Sequence, residues 1–334
     1  MRKSAWMTAL ALVVLGLAKE VKAQDPHYTQ YYVYPSWLNP SLTGVFNGDY
    51  RVAGIYRNQW GNITTPFSTP GVSVDVNTGK NASFGISALR QKAGNGGYYY
   101  TTAYASMSYS GVRFGADGNH HLNMGFQLGM IQRGFDMSKM TFGDQWNPVT
   151  GYNPSQVTSE SLTRTKSTSF DAGVGILYFD ATPGKKANIF AGVSAAHINR
   201  PTDQFSTDGD AKLPVRYNFH AGVRLMLNEV FSLTPNALYM RQGSAEEKMI
   251  GAYGQLKVNE ETDFLLGVNY RIQDAVSPFV GVYFKNMTLG CSYDVNTSDL
   301  SKMARGSNSF EISLTFIGRK KTATPETEFI CPRL

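Results

Sequence analysis

Five histidines and two cysteines are the residues of this chain best suited to nucleophilic, acid–base or metal chemistry, so their spacing is the first thing to weigh. His27, His120, His121, His197 and His220 are scattered, and none stands in an H-E-x-x-H zinc motif; no serine stands in a G-x-S-x-G nucleophile elbow. Cys291 and Cys331 are too few for a disulfide-stapled scaffold or a cysteine-rich zinc site. The glycines of GNGGYYY (94–100) fit a hairpin turn, because no helix follows them to make a phosphate-binding loop. These spacings predict no catalytic, cofactor or metal site. Charged residues make a better case: in RVAGIYRNQW (51–60), Arg51, Arg57 and Gln59 alternate with Val52, Tyr56 and Trp60.

That alternation has the period of a strand with one polar and one apolar face. It recurs along the chain. TDFLLGVNYR sets Phe264, Leu266, Val268 and Tyr270 against Leu265, Gly267, Asn269 and Arg271, and SFEISLTF sets Phe310, Ile312, Leu314 and Phe316 against Glu311, Ser313 and Thr315. Such segments fall at 50–60, 70–76, 82–91, 97–110, 120–133, 167–180, 186–198, 214–227, 229–241, 247–257, 262–272, 275–285, 287–295 and 307–317. Many are longer than the ~5–6 residues common in soluble sheets. An even count of long, one-sided strands is what a transmembrane barrel requires. The spacing therefore predicts an all-β, antiparallel outer-membrane barrel of about 14 strands. Soluble sandwiches and propellers share the alternation, but no 20–50-residue repeat supports a propeller.

The start of the chain suits that destination. Met1–Ala23 has a basic head (Arg2, Lys3), an apolar run from Ala5 to Ala18 and small residues at Val21-Lys22-Ala23, predicting a signal peptide (1–23) cleaved after Ala23. Arg2, Lys3, Lys19, Lys22 and Glu20 leave with it, so the net charge of +6 falls to +3, too weak a bias to imply a nucleic-acid partner. If the strand at 50–60 runs outward, the three long connections at 134–165, 198–213 and 296–308 all lie on the outer side, as barrels prefer. Arg51, Arg57 and Gln59 must then face the lumen, since an arginine facing lipid costs ~2–4 kcal/mol. Inward carboxylates such as Asp75 or Glu311 are their expected partners, and Trp60 is expected in the interfacial aromatic girdle.

Two segments lie outside the predicted barrel (50–317). Residues 24–49, QDPHYTQYYVYPSWLNPSLTGVFNGD, carry Pro26, Pro35 and Pro40, which argue against a helix or a central strand. The segment is expected to begin in the periplasm, either plugging the lumen or lying against its inner mouth. After Phe316 a tail (318–334) remains, with a short basic patch at Arg319, Lys320 and Lys321 and the ending EFICPRL, whose Phe329, Ile330 and Leu334 call for a docking partner. Cys291 shares the lipid-facing side with Leu289 and Tyr293 while Cys331 sits in the tail, which speaks against a disulfide between them.

The strings DPHYTQYY…LNPSLTG (25–44), RNQW (57–60), PFSTPGVSVD (66–75) and FICPRL (329–334) resemble the type IX secretion system membrane protein family, PorP/SprF. The resemblance implies an outer-membrane barrel of a Gram-negative cell that is neither an enzyme nor a cofactor carrier. It implies work beside periplasmic ring and peptidoglycan-binding subunits, serving secreted cargo or a gliding adhesin. Asp25, Pro26, His27, Tyr28, Gln30, Tyr31, Asn39 and Pro40 in the first block, and Phe329, Cys331, Pro332 and Leu334 in the last, are the expected partner contacts. A packing plug that only blocks the pore is the other reading of the first block, and a solute channel the other reading of the barrel.

Overall fold

In the computed structural model the described residues are 24–61, 65–95, 97–115, 117–159, 165–202, 212–298 and 308–319. Fourteen long strands form one closed antiparallel barrel: β1 (Tyr50–Gln59), β2 (Phe67–Asn77), β3 (Ala82–Ala93), β4 (Tyr98–Phe114), β5 (His120–Gly134), β8 (Lys166–Asp180), β9 (Ala187–Ala196), β10 (Arg216–Met226), β11 (Phe231–Gln242), β12 (Ala245–Lys257), β13 (Thr262–Arg271), β14 (Ala275–Phe284), β15 (Met287–Asn296) and β16 (Ser309–Gly318). Two further strands, β6 (Trp146–Asn147) and β7 (Gly151–Tyr152), make a small hairpin inside the longest connection. Neighbours in sequence pair throughout, and β1 closes the sheet on β16 with Tyr50 opposite Gly318 and Gln59 opposite Ser309.

The barrel is apolar outside and polar inside. Outward positions such as Ile86, Phe84, Phe170, Leu266 and Leu289 are exposed, while Thr102, Asn123, Gln127, Asn218 and Glu311 point inward and are buried. Lipid replaces water as the outer solvent of such a surface, so the alternation that would be unfavourable in a soluble protein is the stable one here. Connections at one end, which includes Tyr50 and Gly318, are two to six residues long; the opposite end carries 135–165, 197–215 and 297–308. We call these ends the short-turn and long-loop mouths. Trp60, one residue beyond β1 at the long-loop mouth, packs edge-on against Phe67 with ring centroids 5.2 Å apart.

Residues 24–49 fill the lumen. Pro35–Leu38 forms one α-helical turn and Pro40–Leu42 a 3-10 turn, so two of the three prolines begin short helices where the sequence argued against any. Proline lacks an N–H that the first helical turn does not need, and its φ suits that position. Asn39 caps the second turn, its Oδ1 accepting from the Ser41 N–H at 3.0 Å.

The direction of the segment corrects the expectation that it begins at the inner side. Gly44 bonds Asp75 near the short-turn mouth, Asn39 lies mid-lumen, and Asp25 meets Gln242 and Arg216, which lie at the long-loop ends of β11 and β10. From Gln24 the segment thus runs from the long-loop mouth down the lumen and turns into β1 at the other end. Strand parity fixes where residue 49 must stand; it leaves open how far the preceding residues reach. The predicted signal peptide and the tail residues 320–334, with Phe329, Cys331, Pro332 and Leu334, lie outside the described residues.

Candidate functional site

The polar inner wall and the threaded segment make one continuous site, built from three sets of contacts. At the long-loop mouth the Asp25 N–H donates to Gln242 Oε1 at 2.9 Å, and its carboxylate receives His197 Nε2 at 2.6 Å and Arg216 Nη1 at 2.9 Å. Tyr100 OH lies 3.3 Å from the other oxygen. His197 Nδ1 reaches Asp171 at 2.9 Å, and Tyr104 OH donates to the same oxygen at 2.6 Å. Arg216 also donates to the Trp37 carbonyl at 3.0 Å and lies 4.1 Å from the centre of its ring, while Trp37 Nε1 donates to the Pro26 carbonyl at 2.9 Å. One arginine thereby ties the two limbs of the segment together.

Charge balances in this clasp. Burial alone would lower the pKa of His197, but Asp25 and Asp171 outweigh it and hold the ring up at about 9. Burial would raise the Asp25 carboxyl, yet His197 and Arg216 keep it well below the usual carboxylate range. The group at neutral pH is an imidazolium and a guanidinium facing two carboxylates. Both ring nitrogens of His197 donate to carboxylates, leaving no lone pair with which to take a proton.

A second clasp binds Thr29 and Gln30. Glu311 accepts the Thr29 N–H at 2.7 Å and the Gln30 N–H at 2.9 Å, one on each oxygen. Arg57 stands directly opposite Glu311 across the β1–β16 seam and pairs with it, and with Asp294 at 2.9 Å. Arg271 pairs with Asp294 at 2.7 Å and with Asp274, and both arginines donate to Thr29 Oγ1. The Gln30 amide is held at both ends, donating to Ser292 at 3.0 Å and accepting from Ser313 at 2.7 Å.

Below this the contacts turn to backbone and small residues. Leu38 O accepts from Ser194 at 2.6 Å and Asn218 at 2.7 Å, and Asn39 Nδ2 donates to Ile176 O at 3.1 Å. Gly125 is required here, because a Cβ on it would fall on the backbone of Pro40 and Ser41. Near the short-turn mouth Arg51 stands directly across from Asp75, pairs with it at 2.6 Å and donates to Leu42 O at 3.2 Å. Gly44, at φ +75°, makes the turn there with its α-carbon against Ser83. Beside the segment lies a small apolar cavity of about 40 Å³ between Leu38, Leu42, Leu177, Phe179 and Tyr253.

Of the residues singled out in the sequence, Asp25, Tyr28, Gln30, Tyr31, Asn39 and Pro40 are buried in the lumen against the barrel wall. Tyr28 OH donates to Thr69 O at 3.3 Å and Tyr31 OH to Asn236 at 2.8 Å. Pro26 supplies a carbonyl to Trp37, and half-buried His27 lies 3.5 Å from Glu247. Arg51 and Arg57 face the lumen; Gln59 shares their side of β1 but is only half-buried at its end. The expected partner contacts of the first block are therefore occupied within the chain. Sequence reasoning missed His197, Arg216, Asp171, Arg271 and Asp294 as members of the site; their only signal was a charged side chain on the polar face of a predicted strand.

The family model described as type IX secretion system membrane protein PorP/SprF matches residues 20–316. Among curated proteins, none matches this sequence. Among solved structures, the toluene transporter TbuX of Ralstonia pickettii is similar in fold, at TM-score 0.51 and 11% identity over 84% of this chain and 92% of that one. The CymD monoaromatic hydrocarbon channel gives TM-score 0.48 and 11% identity over 87% and 94%. The P. putida toluene transporter TodX gives 0.47 and 10% over 83% and 92%.

Proposed function

The chain belongs to the type IX secretion system membrane protein PorP/SprF family, and from that premise we propose that it serves the secretion system as a non-enzymatic outer-membrane barrel, supporting export or surface attachment of cargo, gliding adhesins included. The observation that carries this reading is the lumen itself. Residues 24–49 occupy it from one mouth to the other and are held by paired buried charges, an arrangement suited to a scaffold and poorly suited to free diffusion. The chain would reach the outer membrane by way of a cleaved signal peptide. Its partners would be periplasmic ring and peptidoglycan-binding subunits at the short-turn mouth, where Gly318 leads into the tail, and cargo. In this reading the docking element of the tail is Phe329–Leu334.

The test is an affinity pull-down of the detergent-solubilised protein from its own cells, full-length beside a version lacking Glu326 to Leu334. Recovery of periplasmic secretion subunits or a large secreted adhesin, lost on truncation, is the expected result. Recovery of neither, together with normal export in cells lacking the chain, would refute the reading. A solute channel is the second reading, favoured by the apolar cavity beside the segment and by the fold shared with a toluene transporter. It requires conductance or uptake by the purified barrel in vesicles, which the first reading does not.

A further inference from the structure

The barrel wall holds residues 24–44 by their main chain as well as by their side chains. Glu311 takes the N–H groups of Thr29 and Gln30, Gln242 that of Asp25 and Asp75 that of Gly44. Arg216 donates to the carbonyl of Trp37, Asn218 and Ser194 to that of Leu38, and Ser108 to that of Thr43. Side chains that satisfy backbone groups bind a polypeptide as such, with specificity left to a few pockets. The segment contributes nothing to the sheet in return. Its own backbone-to-backbone bonds, from Gln30 to Val45, are internal. Residues 45–49 are its covalent link to the wall, and with residues 1–23 removed, as the sequence predicts, Gln24 is an end at the opposite mouth. It can therefore leave without breaking a strand pairing.

Its fit is also incomplete. Arg57 Nε, Arg216 Nε, Asp171 Oδ1 and Glu247 Oε1 are buried wall atoms to which the segment offers no hydrogen bond, and the apolar cavity lies between it and β8. A wall shaped only to hold this plug would pair such groups, because each unpaired one costs ~1–3 kcal/mol.

We propose that the lumen is a polypeptide-binding channel whose ligand in cis is residues 24–44, exchangeable for a segment of another protein that enters by the long-loop mouth. The wall states the chemistry of that segment. At the first clasp His197 and Arg216 face Asp171 of the wall, so the ligand carries an acidic residue at its head, as Asp25 does; residues 24–49 contain no lysine or arginine. Tyrosines and a tryptophan follow, able to bury a ring and still use its polar edge. The property belongs to the barrel and does not depend on the secretion reading.

The test uses the full chain with a protease site inserted between Asn47 and Gly48, cut after purification in detergent. Excess fluorescent peptide of residues 24–47 should enter the cut barrel and expel the resident fragment, competed by unlabelled peptide. Arg216→Gln should weaken uptake about tenfold to a hundredfold, as loss of hydrogen bonds from a charged donor does. A resident fragment that never exchanges, or one that leaves and is not replaced, overturns the proposal. An uncut preparation guards against a barrel that collapses on cutting. With a fluorophore on Gln24→Cys in a Cys291→Ser, Cys331→Ser background, saturable release of the dye to water on adding free peptide is the expected result, and no change at millimolar peptide is the refuting one.

Discussion

Replacing Arg57 by methionine isolates the worth of the second clasp. The side chain is 2% exposed and spans two carboxylates, Glu311 and Asp294, while also donating to Thr29. Methionine keeps most of the volume and removes the charge, leaving Glu311 and Asp294 buried with Arg271 as the remaining guanidinium. Breaking a buried pair in this way costs ~3–5 kcal/mol, because the abandoned charge stays in a low-dielectric site. Equilibrium unfolding by guanidinium in detergent micelles should show a loss of that size. A second readout separates the plug from the barrel: residues 24–49 contain no site for trypsin but offer chymotrypsin Tyr28, Tyr31, Tyr32 and Trp37. If the loss falls on plug docking, cleavage there should accelerate about a hundredfold or more. Adding Glu311→Gln to the same chain should cost less than the sum of the two single changes, since the pair is coupled. A loss under ~1 kcal/mol, or strict additivity, would refute the claim that the clasp holds the segment.

Other perturbations follow from the same contacts. His197 titrates near 6.5 when unfolded and near 9 when folded, so its contribution is complete below 6.5 and fades as pH rises to about 9; the unfolding midpoint should fall over that window, and His197→Gln should remove the slope. Gly125→Val should drive Pro40 and Ser41 off the wall and raise chymotrypsin sensitivity while strand content, read by circular dichroism, is retained. Leu266→Arg, on the lipid-facing side of β13, should cost ~2–4 kcal/mol in a bilayer and far less in a soft micelle. Removing residues 137–159 from the longest connection should spare membrane insertion, as a heat-modifiability gel would show.

The barrel was legible because its signal is local. Alternation over ten or more residues marks a strand wherever it occurs, and all fourteen predicted segments coincide with strands. The hairpin β6–β7 escaped because two-residue strands have no period to read. Arg51 and Arg57 could be turned inward by lipid cost alone, and their partners stand directly opposite on neighbouring strands, the distance at which cross-strand pairing acts. The first clasp could not be read this way. His197, Arg216 and Asp171 lie on different strands, and what gathers them is Asp25 arriving from 172 residues away in the case of His197. Nothing in a strand's own pattern reports where a non-strand segment ends. The prolines mislead for a related reason: Pro26, Pro35 and Pro40 argue against a helix or a central strand, yet Pro35 and Pro40 each open a short helical turn, where a proline is tolerated.

Thr29 binds Glu311 across 282 positions of chain, and Arg57 meets Glu311 at the seam where β1 receives β16. A residue ahead of the first strand thus finds its partner on the strand that closes the barrel. Loop-closure entropy has to be met before so distant a contact can reward it, which places docking of Thr29 and Gln30 and sealing of the cylinder in one late step of assembly. Until then the nascent sheet is open, its edge strands unpaired and its tyrosine-rich leader uncovered. Any factor that folds this chain into a membrane therefore has to shelter that segment inside the growing curve of strands, much as a lock is fitted before its door is hung.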